Sequence, residues 1–100
     1  MKKVIIAMMA TPALSTQAFA AGDAGAGKGV YSTCIGCHGA AGEGGVGPQL
    51  AGQSAADITA KLVDYKNGVI KGPMTSMMAP MATGLSEADI ANISAYIETL

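Results

Sequence analysis

The clearest pattern in the chain is an apolar face that recurs at helical spacing near its end. After Ser86, the residues Ile90, Ile93, Ile97 and Leu100 stand three or four apart, as one side of a helix running to the C-terminus. Ser86 occupies the cap position and Asp89 follows three residues later, a short-acid form of the capping box. The same signature opens an earlier segment, with Ser54 and Asp57 ahead of Ile58, Leu62 and Tyr65 on one face. Asn67-Gly68 should close that helix. A further helix is predicted over about residues 24 to 35. Two stretches lack the pattern. Residues 39–52 hold six glycines and a proline, and residues 72–84 hold two prolines and four methionines. Both read as loops, and structureless loops of that length are uncommon in a small domain unless they bind something. No run alternates as a strand would. The pattern predicts an all-α domain of three main helices with two long functional loops.

Ahead of these elements the chain changes character. Lys2-Lys3 precedes an apolar run from Val4 to Leu14, and Ala18-Phe19-Ala20 is a small-x-small cleavage pattern. Basic, apolar and cleavage regions in that order define a secretory signal peptide. Residues 1–20 are therefore expected to be removed, leaving residues 21–100 as one domain. The apolar run is roughly half the ~20 residues needed to span a bilayer, and Pro12 interrupts it. No stable membrane insertion is expected after cleavage, and the bacterial character of the leader points to the periplasm.

Composition sharpens this picture. A chain of 100 residues with 13% charged side chains and a formal net charge of −1 has no basic face for nucleic acid. Without Lys2 and Lys3, four lysines face seven carboxylates. The aromatic residues left are Tyr31, Tyr65 and Tyr96. A domain of this size with so few large side chains rarely stabilises itself by packing alone. A disulfide, a metal or a cofactor is expected to complete its centre.

Cys34-Ile35-Gly36-Cys37-His38 supplies the means. On a helical turn, positions i, i+3 and i+4 share a face, so both thiols and the imidazole point one way. This matches the C-x-x-C-H pattern of covalent c-type haem attachment, with the thiols added across two vinyl groups and His38 beneath the iron. Zinc would need four ligands, and the chain has two Cys and one His. A thioredoxin-like dithiol would follow a strand, and closing so short a loop with a disulfide gains little.

Haem iron then takes a sixth ligand or keeps an open site. A second His is absent from the chain, whereas Met74, Met77, Met78 and Met81 fall together in the second loop. A thioether favours Fe(II), raises the potential and fills the coordination sphere, which suits outer-sphere electron transfer. The Gly42–Gly47 match to G-x-G-x-x-G follows no strand, and Gly29 stands where a phosphate loop needs Ser or Thr. Neither carries a nucleotide site.

The chain resembles the class I c-type cytochromes over essentially all of residues 21–100. The resemblance rests on Gly27-Lys28-Gly29-Val30-Tyr31 ahead of the haem motif and on Gly47-Pro48-Gln49-Leu50-Ala51-Gly52-Gln53. It also rests on Met78-Ala79-Pro80-Met81 and on Leu85-Ser86 opening a last helix with Ala95-Tyr96. It is similar both to small monohaem periplasmic carriers and to single domains of dihaem cytochromes. The resemblance implies the cytochrome c fold around one haem c, held by Cys34 and Cys37. His38 would be the proximal ligand and the Pro48 carbonyl the acceptor for its Nδ1–H. Met78 stands at the family's sixth-ligand position, with Met81 and Met77 as alternatives. The first and last helices should cross, with Gly27 or Val30 near Ile93, Tyr96 and Ile97. The implied function is single-electron transfer between redox proteins that meet the exposed haem edge, without enzymatic turnover. A haem enzyme or gas-binding protein with a labile sixth ligand, or the cytochrome subunit of a larger oxidoreductase, is the alternative.

Overall fold

In the computed structural model, which describes residues 22–100, five helices follow one another. They are α1 (Ala24–Tyr31), α2 (Ile35–His38), α3 (Ala55–Lys66), α4 (Thr75–Thr83) and α5 (Glu87–Glu98). No strand occurs among the described residues. The expected leader, residues 1–20, lies outside them.

Gly27 decides how the first and last helices meet. A Cβ at this position would overlap the Asn92 carbonyl and stand 2.9 Å from Tyr96 Cβ, so only glycine lets α1 lie this close against α5. The crossing expected from the sequence is present, and it is Gly27, with Val30 partly buried beside it, that makes the contact. Asn92 Oδ1 accepts from the Asp23 N–H at 2.8 Å, and Asp23 itself caps α1 by accepting from Gly25 N at 2.9 Å. Tyr31 and Tyr96 pack tilted, their ring centroids 5.4 Å apart, a spacing at which aromatic pairs attract.

The core follows the predicted faces. Ile58 and Leu62 of α3 and Ile90, Ile93 and Ile97 of α5 are buried together with Tyr31 and Ala82. Tyr65 and Leu100 are partly buried against them. Both serine caps form. Ser54 Oγ accepts from Asp57 N at 3.1 Å. At α5 the box is complete, with Asp89 N donating to Ser86 Oγ and Ser86 N to Asp89 Oδ2, each at 3.0 Å. Only the serine half is made at α3. Asn67 and Gly68 end α3 as expected.

Two expectations are corrected. The first helix does not run to residue 35. It stops at Tyr31, and Ser32, Thr33 and Cys34 turn by bonds to the third residue back, the last being Cys34 N to Tyr31 O at 2.7 Å. Thr33 Oγ1 donates to Val30 O at 3.2 Å, the kind of local side-chain bond by which Ser and Thr compete with continued helix. The second correction concerns residues 72–84, which are not a loop but mostly α4. Thr75 Oγ1 accepts from Lys71 N at 2.8 Å and Gly72 N at 3.0 Å, fixing the turn that enters the helix. Pro80 lies inside it and removes the N–H that would bond the Ser76 carbonyl. Nine residues with an internal proline would not hold as an isolated helix. Packing overrides local propensity: Ala82 is fully buried and Met78 rests against the core. Lys66, at the end of α3, donates to Thr83 O at 3.2 Å and to Leu85 O.

Candidate haem site

The motif Cys34 to His38 forms one α-turn, closed by His38 N to Cys34 O at 2.9 Å. Cys34 caps that turn and is half-buried, Cys37 is exposed, and neither is in a disulfide. Burial pushes the Cys34 thiol pKa up, the Thr33 hydroxyl 3.9 Å away opposes this, and the neighbouring Cys37 adds to it. Cys34, Cys37 and His38 border one cleft, in keeping with their spacing, although the turn belongs to its own short helix and not to α1.

His38 is buried, and its orientation is fixed by backbone. Nδ1 lies 2.8 Å from the Pro48 carbonyl oxygen. A carbonyl can only accept, so Nδ1 is the donor, which in the neutral imidazole leaves the Nε2 lone pair for a metal. The loop that brings Pro48 there is ordered by its own hydrogen bonds. Gly44 N donates to His38 O at 2.7 Å, Gly47 N to Cys37 O at 2.8 Å and Leu50 N to Gly42 O at 2.8 Å. Gly47 lies directly on the imidazole, where a Cβ would stand 2.9 Å from Nδ1. The first predicted loop, residues 39–52, is thus a loop, and it grips the histidine.

The two cysteines and His38 line a cleft of about 400 Å³. Its walls are apolar: Val46, Leu50, Ile58, Leu62, Ile93 and Ile97 contribute, together with Tyr65. Met74, Met77, Met78 and Met81 line the same cleft, so α4 and the residue that caps it bring the whole sulfur group to the side chains of the Cys–His turn. Met78 is the one of the four packed against the core, whereas Met74, Met77 and Met81 are about half exposed. A separate groove of about 670 Å³ is lined by Ala55, Ala60 and Ala91 together with Val63, Asp64 and Glu98, and contains no Cys, His or Met.

Covalently held haem takes an apolar slot, two thiols on one turn and an oriented imidazole, and a thioether can complete the iron's coordination. The cleft offers this donor set with the Nδ1 of its histidine already engaged, so the residues present fit haem c. Three contributors were not assigned a role from the sequence. Tyr31 is buried and its hydroxyl donates to Gly39 O at 2.6 Å, pinning the exit of the haem turn to α1. Burial, then the nearby Cys34, Glu43 and Tyr96 groups, push its phenol pKa up, so it stays protonated as a donor. Gly47 was part of the motif without a reason. Ser94, on the inner face of α5, accepts from Thr59 Oγ1 at 2.9 Å and joins α3 to α5. A serine at a core position of the helical period was the available sign.

Comparison with known proteins agrees with this geometry. The family described as Cytochrome c matches residues 24–100. The chain is 46% identical over 78 residues to cytochrome c-554(548) of Halomonas halodenitrificans, covering 76% of this chain and 94% of that one. It is 47% identical over 90 residues to cytochrome c-554(547) of Halothiobacillus neapolitanus, covering 80% and 99%. Among solved structures, the cytochrome c4 of Acidithiobacillus ferrooxidans superposes with a TM-score of 0.70 at 26% identity, over 81% of this chain and 52% of that protein. The chain thus matches small relatives nearly end to end and spans about half of the cytochrome c4.

The chain belongs to the cytochrome c family, as a small all-α class I c-type cytochrome. It is an electron carrier, and its cofactor is haem c, covalently attached.

Proposed function

We propose that this protein carries single electrons between redox proteins of the periplasm, on one haem held by Cys34, Cys37, His38 and Met78, and that it catalyses no substrate turnover. When bound, the haem supplies an iron that cycles between Fe(II) and Fe(III). The polypeptide does the rest. Cys34 and Cys37 would anchor the group through thioethers. His38 Nε2 would bind the iron, with the Pro48 carbonyl keeping the ring in one tautomer and one orientation. Met78 would fill the sixth position, with Met81 and Met77 as competitors on the same helix. The apolar walls exclude water and so favour the less charged iron state.

The observation that carries the reading is the His38–Pro48 contact on the same turn as both thiols, facing a cleft that four methionines share. With Met78 in the sixth position the coordination sphere would be filled, which suits a carrier better than an oxygen- or peroxide-handling enzyme. Export rests on the leader reading of residues 1–20, supported by a family match that begins at residue 24. No helix among the described residues is long and apolar enough to cross a membrane. One mass measurement on the native protein tests leader removal and covalent haem together. A chain beginning at Ala21 with one haem added is expected, and a mass retaining residues 1–20 or lacking haem would overturn the corresponding part. Carbon monoxide tests the carrier reading: the reduced protein should bind it poorly, whereas ready binding would favour the open-site alternative.

A further inference from the structure

Lys66 lies where two helices end. It is the last residue of α3, and its ammonium donates to Thr83 O at 3.2 Å and to Leu85 O, the carbonyls at and just beyond the end of α4. A cation at this place satisfies carbonyls that have no partner within the helix and lies at its negative pole. No other side chain of α3 hydrogen-bonds the C-terminal end of α4 among the described residues. The other lysine near α4, Lys71, pairs with Asp64 at 2.6 Å ahead of the helix, between two partly exposed side chains.

Pro80 makes this contact matter. It interrupts the ladder of α4 in the middle, between Met78 and the C-terminal turn. The half of the helix that follows Met78 is therefore held less by its own backbone and more by what grips its end. Ala82 is buried there, and Lys66 supplies the polar grip.

From this geometry we infer that Lys66 is a positioning residue for the sixth ligand: by clamping the end of α4 to α3 it holds the methionine helix against the iron and resists displacement of the thioether by other ligands. The inference rests on the Met78 reading above. Lys66 touches neither haem nor iron in this account. It acts through α4, which ties the ease of ligand exchange to a contact on the far end of the helix.

The test is a double-mutant cycle on the ferric holoprotein, titrated with imidazole and followed by loss of the Met–Fe(III) charge-transfer band or by the change in the Soret band. Lys66→Met should raise the affinity for imidazole about tenfold relative to the parent, and Lys66→Arg, which keeps a cationic donor, should restore most of the difference. In the Met78→Ala background there is no thioether to position, so adding Lys66→Met should change imidazole affinity less than twofold. A change below twofold in the parent background, or an equal change in both backgrounds, overturns the inference, since a merely structural role would act in both. Lys66→Gln, too short to reach both carbonyls, is run in parallel so that misfolding of one variant does not end the test. If Met81→Ala loses the charge-transfer band and Met78→Ala keeps it, the ligand assignment fails. The cycle repeated with Met81→Ala then tests the clamp alone, because both sulfurs ride on α4.

Discussion

The two segments that flank the haem cleft look alike in sequence and are built differently. Residues 39–52 and 72–84 are both rich in glycine, proline or small residues. The first stays a loop, and its order comes from backbone bonds within itself and to Cys37 and His38. It offers the histidine a carbonyl and leaves no room for a Cβ at Gly47. The second becomes α4, a short helix with a proline inside it, held by burial of its Ala82 in the core, by Lys66 reaching over from α3 and by the turn that Thr75 fixes at its start. The difference teaches where a single-electron carrier can tolerate adjustment. The histidine side is fixed at close range by atoms that cannot move independently. The methionine side is held by contacts that can be weakened one at a time.

The largest expected effect removes what both segments grip. In Cys34→Ala/Cys37→Ala the haem is no longer anchored, and a domain this small loses much of its buried apolar area. The double variant should lose its cooperative unfolding transition and most of its helical circular dichroism. Retention of both without haem would mean that α1, α3 and α5 form a sufficient core alone.

Next, the two sides should respond differently to loss of a ligand. Met78→Ala should leave a folded protein that loses the Met–Fe(III) band, becomes high-spin or water-ligated and binds carbon monoxide readily. Met78→His should lower the midpoint potential, since a thioether prefers Fe(II) more than imidazole does. If no single substitution at Met77, Met78 or Met81 alters the band or the potential, the open-site enzyme becomes the better reading.

Gly47→Ala probes the histidine side without touching a ligand. The new methyl would stand 2.9 Å from His38 Nδ1, and overpacking of this kind costs roughly 1–3 kcal/mol. Denaturant titration of the holoprotein should show that loss together with a shifted potential, because the Pro48 bond is disturbed with it. A change of a few tenths with an unaltered potential would mean that the loop yields easily, and that the two sides are less different than their hydrogen bonding implies.

How much of this was legible beforehand follows the same division. The apolar faces of α3 and α5, their serine caps and the turn carrying Cys34, Cys37 and His38 could be read because each rests on local spacing. The break after Tyr31 was missed because a run of helix-compatible residues hides the hydroxyl bonding of Thr33. The helix at residues 75–83 was missed because proline and glycine argue locally for a loop, while its support comes from Lys66 and a buried alanine, contacts that no local pattern encodes. Gly27 and Gly47 are glycines for reasons of close approach to α5 and to His38. Such a reason is invisible until the partner's position is known.

The smallest expected effect bears most directly on how firmly the methionine side is specified. Proline in a helix interior is about 3 kcal/mol less favourable than alanine, while Xaa→Pro changes gain about 0.4–1 kcal/mol through the unfolded chain. The first term favours Pro80→Ala and the second opposes it. Because α4 has already adjusted around Pro80, only part of the first is recoverable, and a net gain of about 1 kcal/mol is expected. It should appear as a higher denaturation midpoint with the Met–Fe(III) band unchanged, since Ser76 O regains a donor and Met78 stays on the same face. Imidazole affinity should fall slightly, in the opposite sense to Lys66→Met. A drop in stability, or loss of the band in Pro80→Ala, would mean that the proline sets the local geometry that aims Met78. The methionine side would then be specified by its own backbone as strictly as the histidine side is by Gly47 and Pro48, and the contrast between the two would no longer hold.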